Sequence, residues 1–339
     1  MKIKQSRISC LLLLSIVLGA CQPKAEAKSN NDTETLVTEV QATFTLPGLD
    51  VVENDNSEME ATEEPLPVEA TAEITAEPLV NGYLTESEVA LMEANRSTLD
   101  PYEWSGWPNV PQFNPYLRLV HERGLANGYI DNHYSALGDC QSMPGVFMGM
   151  YETLDEVLLT DEEGQLYETI EYYNGSFTHE SLTVIDGLSP PTALSAMWND
   201  PEQCGATETP LDCELRVYQP SVMFINLGTN WKENASLENY EKYLREIIET
   251  LLAQGVIPIL STKADNIEGG HRINALTAAL ASEYQIPLWN FWAASNGMEN
   301  HGLDGNRDSV YLSVDAWSLR SHLALQTLDS LHRFLGDNE

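Results

Sequence analysis

Ala136-Leu137-Gly138-Asp139-Cys140-Gln141-Ser142 is the stretch on which the reading of this chain turns. An apolar, strand-like run gives way there to a helix-like one. A Gly-Asp-nucleophile turn at the carboxyl end of a first parallel strand would display one side chain at the mouth of an open α/β sheet. Its backbone N–H groups would face the reacting atom. Working outward, the chain alternates. His133 to Gly138 reads as a strand, Met143 to Thr153 as a helix, Glu180 to Ile185 as a strand and Pro191 to Trp198 as a helix. Ser221 to Leu227 is a strongly apolar strand, followed by a long helix over Ser236 to Gln254 that Ser236 caps and Gly255 ends. Val256 to Ser261, Arg272 to Tyr284, Ile286 to Phe291 and Val314 to Leu335 continue the strand and helix order. This pattern predicts an α/β fold: three α/β/α layers around a mostly parallel, roughly five-stranded sheet. In such sheets the ligand site lies at the carboxyl ends of the strands, where Cys140, Asn230, Lys263 and the loop of Asp308 all fall.

Two further blocks support a catalytic reading of the first. Ile225-Asn226-Leu227-Gly228-Thr229-Asn230 closes an apolar strand, and Asp308-Ser309-Val310-Tyr311-Leu312-Ser313 precedes the last helix. In order and spacing the three blocks resemble those of the SGNH hydrolases, also called GDSL esterases, over roughly Asp131 to Leu335. The resemblance implies a flavodoxin-like sheet and an ester or acyl hydrolase by descent. It puts Cys140 where the family has its serine, with its backbone N–H as one oxyanion donor. Gly187, in Val184-Ile185-Asp186-Gly187-Leu188, would be the second donor and the Asn230 amide the third. A plain turn glycine and a strand-end turn asparagine remain the alternatives at those two positions.

The final block should supply Asp-x-x-His. Asp308 is present, but Tyr311 holds the histidine position. The other register, Asp304 to Arg307, lacks the histidine too. Trp231 also stands where the family often has Asp. Without a base, nucleophile activation forfeits an effect typically worth about 10²–10⁴-fold. A thiol depends on a base less than a hydroxyl does, and a helix N-terminus would favour its thiolate. Neighbouring Asp139 would oppose it. His301 and His271 lie on the functional rim as possible surrogate bases, with a surface or structural histidine as the alternative for each. His133 and His179 are less well placed. Lys263-Ala264-Asp265-Asn266 adds polar groups to the rim or is a charged turn. No metal-ligand spacing and no phosphate loop is visible, so no metal or other cofactor is expected.

The remaining features give an address. Lys2, Lys4 and Arg7 precede the short apolar run Leu11 to Leu18 and then Leu18-Gly19-Ala20-Cys21, which looks like a bacterial lipobox. An ordinary signal peptide or anchor is the alternative. Residues 1–21 are therefore expected to be a lipoprotein signal with a lipidated Cys21, placing the protein outside the cytoplasm and against the membrane through its lipid alone. Residues 22–83, rich in Glu, Thr, Ala and Pro, read as a disordered acidic tether or a tail that folds on a partner. Residues 84–339 form the domain, introduced by Trp104-Ser105-Gly106-Trp107, whose rings strap its apolar surface or stack on a sugar.

With 17 Lys and Arg against 52 Asp and Glu, net charge −35, the chain is not built to bind nucleic acid. Of its five cysteines, Cys10 leaves with the signal. Cys204 and Cys213 bracket a short loop and suit a disulfide, which leaves Cys140 as the odd thiol. A monomer acting on a small acyl ester or acylated glycan is expected. The competing classes are a catalytically inactive surface protein that binds a glycan, lipid or protein in the same cleft, and a structural lipoprotein whose tether does the work. Cys21→Ala is expected to release the protein from the membrane fraction, and unchanged membrane association in that variant would refute the lipobox.

Overall fold

The computed structural model describes residues 77–153, 159, 163–307 and 310–336. The signal, most of the tether and Asp308 lie outside the described residues. Composition assigns the first described residues to the tether, yet Leu79 pairs antiparallel with Thr85, and the Glu77 carboxylate accepts hydrogen bonds from the backbone and hydroxyl of Ser87.

Four parallel strands lie side by side in the order β1 (Ile130–Gly138), β2 (Pro220–Asn226), β3 (Ile257–Ser261) and β4 (Leu288–Trp289). Every residue of β2 and β3 is buried. That burial is why their sequences read as unbroken apolar runs rather than alternating ones: both sheet faces are covered. The expected second strand, Glu180 to Ile185, shrinks to a single parallel bridge, Val184 against Gly138 on the outer edge of β1. Gly138 N donates to the Thr183 carbonyl and Ile185 N to the Gly138 carbonyl, both at 3.1 Å, and side-chain hydroxyls add to this short ladder. Thr183 Oγ1 donates to the Ala136 carbonyl at 2.8 Å, and Ser181 Oγ accepts from Thr183 N at 3.1 Å. The spatial order is then the Val184 segment, β1, β2, β3, β4. The chain order reverses between β1 and β2, so their carboxyl ends bound the crevice in which such sheets hold ligands.

The major helices are α1 (Glu86–Ala94), α2 (Tyr116–Ala126), α3 (Pro210–Val217), α4 (Leu237–Gln254), α5 (Arg272–Tyr284) and α6 (Val314–Gly336). Ser236 caps α4 by accepting from Asn239 N, and Gly255 ends it in the left-handed region at φ 88°. Tyr240, Leu244, Ile247, Ile248, Leu251 and Leu252 form its buried stripe. The helix expected over Met143 to Thr153 is reduced to Met150–Thr153. Pro144 and the glycines at 145 and 149 break it, and Met148 takes φ 63°. Pro191 to Trp198 likewise splits into two short turns, Pro190–Ala193 and Ala196–Trp198.

The sequence over Asn114 to Arg123 reads as a short helix that Gly124 stops, but Gly124 lies inside α2. A Cβ there would sit 2.2 Å from the Gly255 carbonyl oxygen, so the two backbones meet where neither residue has a side chain. Arg123, one residue earlier, donates to the Leu252 and Ala253 carbonyls at 2.8 and 2.7 Å and pairs with buried Glu88 at 2.8 Å. It thereby satisfies the last carbonyls of α4 while tying α1 and α2 to them. The prelude is a strap. Trp104 is buried against Trp292 with ring centroids 5.0 Å apart, and fully buried Asn290 donates to the Trp104 and Trp107 carbonyls at 2.8 and 3.1 Å. Cys204 and Cys213 are disulfide-bonded, with Cys213 on α3.

Alanine is the better helix former than glycine by about 1 kcal/mol, but Gly124→Ala would drive a methyl into backbone. The clash wins, and the variant is expected to lose about 1–3 kcal/mol in urea unfolding. An unchanged midpoint would mean that α2 and the Gly255 turn slide apart freely.

Candidate functional site

β1 ends at Gly138, where a Cβ would meet Ser142 Oγ at 2.3 Å and the Asn226 carbonyl oxygen at 2.9 Å. Only glycine lets the strand turn this tightly against β2. Asp139 then caps the turn by accepting from Gln141 N at 3.0 Å, and Cys140–Ser142 make one 3₁₀ turn. Cys140 is 5% exposed. The long helix that would have favoured its thiolate does not follow the turn, so a helix dipole gives Cys140 no support.

Asn230 gathers the middle blocks. Its side-chain nitrogen donates to Asp139 Oδ2 at 3.1 Å and to the Leu188 carbonyl at 3.2 Å. One side chain therefore bonds the residue before Cys140 and the residue after Gly187. Gly187 itself has φ 76°, and its N–H has no acceptor among the described residues. The two amide hydrogens of Asn230 are both spent on these bonds. Gly228 positions the asparagine. At φ 114°, any Cβ there would press Ile273 at 2.6 Å.

Beyond Asn230 lies a buried ionic cluster. Lys263 Nζ pairs with Asp265 and Glu268, each at 2.6 Å, and Thr229 Oγ1 donates to the second oxygen of Asp265 at 2.9 Å. Lys263-Ala264-Asp265-Asn266 is thus more than a surface turn, since Lys263, Asp265 and Glu268 are all buried.

The final block folds back on itself. Leu303 pairs antiparallel with Leu312, Asp304 N donates to the Tyr311 carbonyl, and the Arg307 guanidinium lies 3.7 Å over the Tyr311 ring. Gln141 fastens this block to the turn, donating from Nε2 to the Val310 carbonyl and accepting from Leu312 N, both at 3.0 Å. Arg320, reaching in from α6, donates to the Gln141 carbonyl at 2.5 Å and stacks over Phe147 and Trp289. Sequence reasoning missed both residues. One signal was available for Arg320: it shares a four-residue spacing with Ala316 and Ala324 on the buried face of a helix, where an arginine needs a partner. A cavity of about 30 Å³, room for a water molecule, remains among Asp139, Asn226, Asp265 and Arg320. Asn226 lines it, and its buried Nδ2 has no hydrogen-bond partner among the described residues.

The seven histidines are occupied elsewhere. His121 pairs with Asp131, His179 with Glu214 and His322 with Glu163. His133 bonds the Tyr218 carbonyl, and His332 packs on Tyr172 and Tyr173. Of the two possible surrogates, exposed His301 bonds the Asn296 carbonyl at 3.2 Å. His271 sits against Trp104 and Trp292, and burial holds its pKa below the ordinary imidazole range despite nearby Glu268. Neither ring is placed in hydrogen-bond contact with Cys140. Among the described residues one grouping, Cys204, Glu208 and Cys213, is close enough to hold a metal ion, but its two sulfurs form the disulfide.

No protein-family model matches the chain, and no curated protein matches it. Among solved structures it is similar to a GDSL-like lipase from Bacteroides thetaiotaomicron, with 14% identity over 63% of this chain and 99% of that one, TM-score 0.39. It is also similar to a lipase/acylhydrolase from Enterococcus faecalis, with 14% identity over 59% and 96%, TM-score 0.39. A third is a psychrotrophic esterase from Pseudoalteromonas, with 17% identity over 61% and 100%, TM-score 0.37. At those scores the likeness adds nothing to the parallel strand order and the hydrogen bonds that define the site.

Burial raises the pKa of the Asp139 carboxyl, against the pull of Gln141 N–H and the Arg320 charge, and burial also lowers that of Arg320 to about 10. For both groups desolvation outweighs their mutual attraction. A carboxyl with a raised folded-state pKa contributes stability that is full below its unfolded value, about 3.9, and is lost as pH rises through the folded value. The stability of the wild type relative to Asp139→Asn should therefore fall as pH rises from about 4. Parallel stability curves for the two proteins would remove Asp139 as the cause.

Proposed function

We propose that this protein is a surface-anchored, extracytoplasmic lipoprotein built on an SGNH hydrolase-like plan, in which Cys140 accepts an acyl group from a small acyl ester or acylated glycan. One observation carries the reading: Asn230 bonds the neighbours of both Cys140 and Gly187, drawing three sequence blocks to one point at the sheet's carboxyl edge. In the reaction the Cys140 sulfur forms a bond to the ester carbonyl carbon, and the carbonyl oxygen takes up the electron pair as an oxyanion. The N–H groups of Cys140 and Gly187 serve that oxyanion. Collapse expels the alcohol and leaves a thioester, which water then cleaves to release the acid. Asn230 joins the oxyanion donors only by giving up one of its two present bonds.

Cys140 reacts as the thiolate, its proton lost to solvent water, and the expelled alkoxide takes a proton back from water. Cleavage of the thioester, by contrast, needs a base for the attacking water, and a phenol such as that of Tyr311 is a poor proton acceptor. The first step should thus outrun the second, giving an enzyme that acylates and then stalls. A second reading, a site that binds without reacting, is favoured by the commitment of both Asn230 amide hydrogens and by the burial of Cys140.

Incubating the mature protein with p-nitrophenyl acetate separates the two. The reactive site predicts an acyl adduct on Cys140 by intact mass, steady-state hydrolysis close to background, and no adduct in Cys140→Ala. Tyr311→His should then raise turnover by about tenfold or more, toward the range typical of a general base. No adduct in the wild type and no gain in Tyr311→His would favour the binding reading. Brisk wild-type turnover that survives Cys140→Ala would refute Cys140 as the nucleophile.

A further inference from the structure

A groove of about 560 Å³ borders the Cys140 turn. Its lining includes Met143 to Gly145, which directly follow that turn, and Val184 and Ile185, which lie just before Gly187. Trp198, Glu180 and Asp200 also line the groove. We propose that this groove is a saccharide subsite with the indole of Trp198 as its platform. The proposal rests on the acyl-transfer reading only in naming what that site would act on, a glycan carrying an acyl group.

Three observations point to a sugar ring. Trp198 is 53% exposed and its neighbour Met197 is 92% exposed, so large apolar surface faces water at the edge of a polar groove. That surface is held stiffly. Asn199 donates to the Gly205 and Glu208 carbonyls, both at 2.7 Å, and Arg216 grips the Glu208 carboxylate at 2.7 and 2.8 Å and the Gln203 carbonyl at 3.0 Å. The Cys204–Cys213 disulfide then ties the same loop to α3. An indole carried on a loop fixed in this way needs no backbone ordering when a ligand stacks on it.

Charge narrows the class. The lining contains the carboxylates of Glu180 and Asp200 and no Lys, Arg or His, which disfavours phosphates and other anions. A fatty chain would take water from those carboxylates and return no hydrogen bond, leaving Asp200 only the two it accepts from Glu202 N and Gln203 Nε2. A neutral pyranose meets both demands, since its C–H face lies on the indole and its hydroxyls donate to carboxylates.

The test uses the mature protein carrying Cys140→Ala, so that binding is read apart from acylation. Titration calorimetry with xylohexaose, cellohexaose and chitohexaose should detect binding of at least one, and Trp198→Ala in the same background should weaken it by about tenfold or more. Reducing the disulfide should also weaken it. Octanoate should not compete. Failure of all three sugars to bind, equal binding by Trp198→Ala, or displacement by octanoate would each overturn the subsite, whatever the outcome of the acylation assay.

Discussion

The side-chain amide of Gln141 imitates a peptide group. It gives a proton to one backbone carbonyl of the final loop and takes one from the N–H two residues further on, as a strand would in a ladder. The arrangement at the carboxyl edge of the sheet depends on that pair of bonds. They set the height of the loop bearing Tyr311 relative to the turn bearing Cys140, while Arg320 holds the same residue through its main chain. An Ala in place of Gln141 would leave a buried carbonyl and a buried N–H to find new partners, each worth about 1–3 kcal/mol when orphaned. The edge is therefore positioned from its last segment as much as from its first strand.

Buried charge is the second organising feature. In a chain of net charge −35, the interior beside Cys140 holds three carboxylates, Asp139, Asp265 and Glu268, with Lys263 and Arg320. Such groups are costly to desolvate and are tolerated when each is bonded. Here they are, through Asn230, Thr229 and two ion pairs. The result is a crevice floor that is polar and nearly filled, which limits what can enter from that side and leaves the Trp198 groove as the roomier approach.

The parts that were legible in the sequence have long periodicity and their own punctuation. Arg272–Tyr284, the stripe of Leu237–Gln254 with its Ser236 cap, and the apolar cores of β2 and β3 follow from residues a few positions apart. Cys140, Gly187 and Asn230 stand out in the sequence because each follows a strand or strand-like run, and Asn230 bonds the residue before the first and the residue after the second. What escaped was set by neighbours far along the chain. Glu180 to Ile185 has strand-like residues, yet among the described residues its backbone pairs with β1 at Gly138 alone, and the hydroxyls of Ser181 and Thr183 answer neighbouring backbone groups. Gly124 reads as a helix stop until Gly255 is seen against it. The roles of Gln141 and Arg320 could not be read locally, since each acts on groups roughly half the chain away.

The bond from Arg320 to the Gln141 carbonyl spans 179 positions, and that separation has a bearing on how the protein is made. Synthesis delivers β1 and its turn long before α6 exists. Until the last helix emerges, the residue after Cys140 lacks its clamp, and the loop closure that supplies it is among the longest in the domain. The upper edge of the sheet is thus assembled last. A chain that stopped short of α6 would carry every central strand but not the Arg320 clamp on Gln141, so the crevice needs translation to pass through α6.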